Sequence, residues 1–198
     1  MCWSASVSLN TFIFSMFSVW FAYFNNITKL SYVFAMGSFA SMQLLEYFVW
    51  TNTFSNELIS KIALCILMLV PVIAIFCLTS LHYISILLGM YSLFIMFTFV
   101  FFKPWNTIDF RMIPSKKSKH LSWLWLDFPW YITILWFIFL IFPSYLNGFW
   151  VWAFLLSCSA GYSYVMFSHD KTWGSIWCWI CNATAIYYIY KVFMKDIC

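Results

Sequence analysis

Charge is scarce in this chain. Only 8% of its 198 residues are Asp, Glu, Lys or Arg, against about 25% in an ordinary soluble domain. Hydrophobic residues make up 65% and mean hydropathy is +0.88. A water-soluble fold of this size could not hide so much apolar surface, so the sequence implies life in a bilayer. Strict apolar–polar alternation is also missing, which excludes a transmembrane β-barrel. The apolar runs are continuous, and in lipid a segment must pair its own backbone groups, which leaves helices. Each crossing takes roughly 20 residues, so there is no room for a separate soluble domain. The net charge of +4 sits mostly in one loop. It fits the loop bias of membrane proteins, and no nucleic-acid partner is expected.

Loop cysteines that could pair are lacking. The seven cysteines, Cys2, Cys65, Cys77, Cys158, Cys178, Cys181 and Cys198, fall mostly inside apolar runs. An odd number without loop partners excludes a disulfide framework, and a buried thiol acts as a small hydrophobe. Catalytic signatures are lacking too. There is no G-x-S-x-G, P-loop or dinucleotide motif, and no H-x-x-x-H of membrane metal hydrolases. No lysine lies inside the last apolar run to carry retinal, since Lys191 is close to its end. His120, His169 and Asp127 match no zinc spacing. No metal site is expected, no cofactor is named by these residues, and an enzyme is the least favoured class. No internal repeat supports an inverted-repeat transporter.

What is present is a series of seven apolar runs, at about residues 7–24, 32–50, 58–78, 82–102, 130–146, 149–168 and 173–193. They predict an all-α, polytopic transmembrane helix bundle of about seven spans, forming one domain over residues 1–198. The first run lacks a basic leader and a small-x-small cleavage site, so it is expected to stay as a helix. Pro71 should kink the third span. Lys61, Lys103, Arg111, Lys116, Lys117, Lys119 and Lys171 fall on one side of a seven-crossing topology; Lys29, Lys191 and Lys195 fall on the other. The positive-inside rule then puts the N-terminus in the cytoplasm.

The one long loop, residues 103–129, is basic in its middle and rich in tryptophan towards its end. Trp favours the headgroup zone. The loop's second half, residues 120–130, is therefore expected to lie flat on the membrane as an interfacial segment, with Lys116, Lys117, Lys119, Trp123 and Trp125 contacting lipid headgroups. Ser4, Ser8, Thr11, Ser15, Ser18 and Ala22 recur at steps of three and four, so they share one helix face suited to close packing.

Glu46 is the side chain most at odds with its surroundings. A carboxyl within a span almost always faces the protein interior or water. Gln43 lies one turn before it, and Asn182 in the seventh span is a candidate partner across the bundle. Glu46, Gln43 and Asn182 are the expected polar core. Cys178-x-x-Cys181 resembles the redox motif of vitamin K epoxide reductase. That family also needs a second cysteine pair in a loop, which Cys2 alone cannot supply, so packing is the expected role here.

Four stretches carry a wider resemblance: Met1-Cys2-Trp3-Ser4-Ala5, Met42-Gln43-Leu44-Leu45-Glu46-Tyr47, His120-Leu121-Ser122-Trp123 and Gly174-Ser175-Ile176-Trp177-Cys178-Trp179. Together they resemble an uncharacterised family of multi-pass membrane proteins associated with large DNA viruses of protists and with some algae and bacteria. The resemblance implies a host or virion membrane and no particular activity. From the residues themselves, the leading expectation is a small channel or transporter with a proton or cation path around Glu46, gated by the Pro71 helix. The alternatives are a non-catalytic component of a virion or organelle membrane, and a lipid- or pigment-binding protein. The expected partners are membrane lipids, a second copy of the chain or a larger membrane assembly.

Overall fold

The apolar runs form helices whose ends are set by local chemistry. The computed structural model describes residues 4–79, 81–148, 150–174 and 178–195. Helix α1 spans Ala5–Phe24, and the Ser4 hydroxyl caps it by accepting from the Val7 N–H at 3.4 Å. Helix α2 spans Leu30–Thr51 and stops where Asn52 turns into the left-handed region at φ 50°. Helix α3, Asn56–Leu78, starts on the Ser55 cap, with Glu57 in its first turn. It accommodates Pro71 within a continuous helical span. Helix α4, Leu81–Phe97, widens into a π-helical turn over Thr98–Phe102. Helices α5 (Trp130–Leu146), α6 (Trp150–Phe167) and α7 (Cys178–Phe193) complete the order.

Among the described residues, three helical stretches are long and apolar enough to cross a membrane: Ala5–Phe24, Asn56–Leu78 and His82–Phe102. Helix α5 is strongly apolar but has 17 residues. Helix α2 has 22 residues, but Gln43, Glu46 and several hydroxyls interrupt its apolar character. Helix α7 begins at Cys178, later than the boundary expected at Trp173. Residues up to Gly174 belong instead to a turn, and residues 175–177 lie outside the described set.

Helix α1 packs against α2 and α7, α2 against α3, and α3 against both α4 and α5, with α6 against α5. The small-residue face of α1 is buried as the spacing requires: Ser8, Thr11, Ser15, Ser18 and Ala22 all point inward. Contacts between distant segments tie the helix ends together. Asn147 donates to the Leu78 carbonyl, joining the ends of α5 and α3. Lys195 Nζ donates to the Asn25 carbonyl at 2.6 Å, joining those of α7 and α1.

Residues 103–129 carry strands, so the chain is not purely helical. The segment folds into a hairpin with strands β1 (Met112–Pro114) and β2 (Leu121–Trp123), antiparallel, with Met112 opposite Trp123. The Asn56 side chain docks one edge. Its amide donates to the Met112 carbonyl at 2.6 Å, and its oxygen accepts from the Met112 N–H at 2.8 Å. The other edge meets the turn before α7, where the Trp123 N–H donates to the Lys171 carbonyl at 2.9 Å. The Ser122 hydroxyl donates to the Asp170 carbonyl beside it. Each backbone edge of the ribbon is thereby anchored to another part of the fold.

This overturns the headgroup position expected for Trp123 and Trp125. Both rings are 0% exposed and belong to the main apolar core, with Met42, Leu45, Leu64, Leu67 and Leu121. Large rings gain more from burial in a protein core than from an interfacial seat when the backbone beneath them is already paired. The lysines behave differently: Lys116, Lys117 and Lys119 stand exposed at the hairpin tip.

Candidate functional site

Buried positions on α2 recur at Val33, Met36, Ala40, Gln43, Glu46 and Val49, in steps of three and four. That face puts Gln43 and Glu46 inside the bundle, both at 0% exposure. Glu46 is five residues from the α2 terminus on the hairpin side, roughly 7.5 Å along the axis. The hairpin reaches it there. Trp123 Nε1 donates to Glu46 Oε1 at 3.1 Å, across 77 residues of sequence. The indole has a single donor and the carboxylate only accepts, so the pair is chemically matched.

Two further contacts hold the Trp123 ring. Trp125 stacks on it with centroids 5.1 Å apart and planes 16° from parallel. Gly174 closes against it so tightly that a Cβ there would stand 2.5 Å from ring atoms Cε3 and Cζ3. Glycine at 174 is thus required by close approach. Three of the four stretches that carried the sequence resemblance, around Glu46, Trp123 and Gly174, therefore meet at one point.

Helix α7 adds Cys181, which is 0% exposed, within electrostatic reach of Glu46 and adjacent to the Ser15 hydroxyl of α1. Asn182 does not take the role expected of it. It is half-buried and donates through Nδ2 to Thr11 Oγ1 at 3.3 Å, tying α7 to α1. Consecutive helical residues point about 100° apart, so Cys181 reaches Glu46 and Ser15 while Asn182 reaches Thr11 of α1. The sequence alone singled out Glu46 but not Trp123, Gly174 or Cys181 as its surroundings. The Cys178 side chain lies outside the described residues, so the C-x-x-C motif is seen only through Cys181.

The polar groups form a seam. Ser8, Thr11, Ser15 and Ser18 run down α1, Gln43 and Glu46 are buried on α2, and α7 joins the two through Asn182 at Thr11 and Cys181 beside Ser15 and Glu46. Ser8 to Ser18 covers about 15 Å of helix, half of a hydrocarbon core about 30 Å thick.

Above the site the hairpin side is charged. Lys171 Nζ pairs with Asp127 Oδ2 at 2.7 Å, and Lys103 Nζ donates to the Asp127 carbonyl at 2.7 Å. Arg111 forms a two-point pair with Asp109 at 2.6 and 2.7 Å. Hydrogen bonding from Lys171 holds the Asp127 carboxyl below the usual carboxylate range. Burial pushes the His120 imidazole down from 6.5 to about 4. A depressed histidine contributes stability above its unfolded value and loses it as pH falls towards the folded value. Thermal stability is therefore expected to decline between about pH 6.5 and pH 4, and His120→Gln is expected to flatten that stretch of the profile. Any loss tied to Asp127 lies lower, in the carboxylate range. Melting midpoints across this pH series, for wild type and variant, check the assignment.

The class defined so far is an apolar helical protein with three membrane-length helices and a docked hairpin. Comparison with known protein families, with curated proteins and with solved structures returns no match to this chain. The functional reading rests on the geometry.

Proposed function

We propose that this is an integral membrane protein of seven helical crossings in which Glu46 binds and releases protons at the hairpin end of the α1–α2–α7 seam. The observation that carries the reading is the carboxyl of Glu46 itself, fully buried, met by the Trp123 indole N–H and linked through Cys181 to the buried hydroxyl face of α1. Hydroxyls both donate and accept, so the α1 face can relay a proton through water bridging one hydroxyl to the next. A charge left on Glu46 in so dry a setting is costly, which makes proton occupancy the state the site controls.

Alternating crossings agree with the paired helix ends, Asn147 with Leu78 and Asn25 with Lys195. The basic hairpin side is then cytoplasmic. The hairpin, not the Pro71 segment, is the part set against Glu46, so we assign gating to movement of Trp123.

Proton uptake into liposomes holding the purified full chain, followed with an enclosed pH-sensitive dye, tests this. Wild type is expected to conduct, and Glu46→Gln to lose at least about tenfold, the size of a lost relay step. Absent wild-type flux, or equal flux in the variant, rejects the proposal. A second reading, a non-catalytic membrane component, is favoured by the tight packing of Trp123 between Trp125 and Gly174. On that reading Glu46→Gln changes stability and no flux is seen in either protein.

A further inference from the structure

Helix α3 packs on both α4 and α5, and a narrow, half-open crevice remains between those two. Leu67, Ile95, Ile132 and Trp136 line it from the three helices, and Phe128 from the end of the hairpin segment. Two hydroxyls also face it, but Thr98 donates to the Phe94 carbonyl at 2.8 Å and Thr133 to the Pro129 carbonyl at 3.4 Å. With those donors turned back on their own helices, the exposed wall is almost wholly apolar and suits hydrocarbon. Aromatic contacts bound the crevice at its two ends. Tyr91 and Phe94 meet Phe139 with centroids 5.1 and 5.5 Å apart, and Phe99 meets Phe128 at 6.2 Å.

The hairpin end of the crevice carries charge. The π-helical turn closes with the Lys103 N–H donating to the Thr98 carbonyl at 3.0 Å, and it brings Lys103 to the mouth. Such wide turns recur at functional positions. Lys103 Nζ stands 5.4 Å from the centre of the Phe128 ring, which itself lines the crevice. One of its hydrogens goes to the Asp127 carbonyl, which leaves two for an outside acceptor. Around it, Lys103, Lys171 and Arg111 face Asp127 and Asp109, an excess of one positive charge. The outward side of α4 beside the crevice is bare apolar surface, at Leu93, Met96 and Phe97.

We infer that this crevice is a binding site for one anionic phospholipid, with an acyl chain along the α4–α5 gap and the phosphate at Lys103. An apolar slot with a cation at one end matches an amphiphile of opposite headgroup charge. The placement at the hairpin end of α4 puts that cation at headgroup depth. The site is distinct from the Glu46 seam and stands whether or not protons move there.

Competition in mixed membranes tests it. The full chain is placed in nanodiscs of equal phosphatidylglycerol and phosphatidylcholine, released, and weighed intact with its retained lipid by mass spectrometry. Wild type is expected to keep one phosphatidylglycerol, with an enrichment of about fivefold over phosphatidylcholine, the worth of one basic residue near a membrane surface. Lys103→Gln is expected to keep a lipid without preference, and Ile95→Trp, which fills the slot from its half-buried side, to keep none. Replacing Lys116, Lys117 and Lys119 together by Gln is expected to change nothing. Wild type that retains no lipid, or shows no headgroup preference, overturns the inference before any variant is needed. So does selectivity that survives Lys103→Gln but is lost with the tip lysines.

Discussion

Trp123→Ala is expected to cost about 3–5 kcal/mol of stability, the range for deleting a buried Trp side chain. The ring is fully buried in the main core, stacked on Trp125 and bonded to Glu46. Alanine leaves a void that neither Trp125 nor the Gly174 turn can fill without straining the backbone bond from residue 123 to the Lys171 carbonyl. It also takes the indole donor away from a buried carboxyl. Trp123→Phe separates the two effects, since it keeps most of the ring and loses only the N–H. It is expected to cost about 1–3 kcal/mol, the penalty for removing a donor from a buried acceptor. Unfolding midpoints in detergent should therefore rank wild type above Trp123→Phe above Trp123→Ala. Equal midpoints for all three would place Trp123 outside the core.

Gly174→Val carries the second large effect. A Cβ at this position would lie 2.5 Å from two Trp123 ring atoms, well inside van der Waals contact. Any retreat of the ring gives up its stacking on Trp125 and its bond to Glu46. Overpacking of this kind costs about 1–3 kcal/mol, and more where neighbours are rigid. The diagnostic result comes from combining changes. Gly174→Ala together with Trp123→Leu is expected to be less damaging than the sum of the two alone, because the smaller side chain makes room for the new methyl. Strict additivity would show that residues 123 and 174 do not touch.

Much of the helical framework was legible in the chain, and for a simple reason. Continuous apolar runs separated by Asn25-Asn26, Asn52 and Asn147-Gly148 give both the helices and their stops. The buried face of α1 was legible as well, because Ser8, Thr11, Ser15 and Ser18 follow helical periodicity, which is a local signal. That Glu46 faces the protein interior could be read from its apolar neighbours.

Its partner could not. An indole N–H is satisfied equally by water at a membrane surface or by a buried acceptor, so the composition of residues 120–130 does not distinguish the two seats. The choice is made by pairings distant in sequence: Asn56 with Met112, Trp123 with Lys171, and Trp123 with Glu46. Helix α7 was misjudged at its start for a related reason. Trp173 and Gly174 read as the opening of an apolar run, yet Gly174 serves as the surface on which Trp123 packs.

A double-mutant cycle between Glu46→Met and Trp123→Phe bears most directly on the clasp between helix and hairpin. Unfolding free energies of the wild type, the two single variants and the double variant, in one detergent at one pH, yield the coupling. A coupling of about 1–3 kcal/mol is expected for a buried hydrogen bond to a carboxyl. Effects that add to within about 0.5 kcal/mol would mean that Glu46 and Trp123 do not meet in the folded protein.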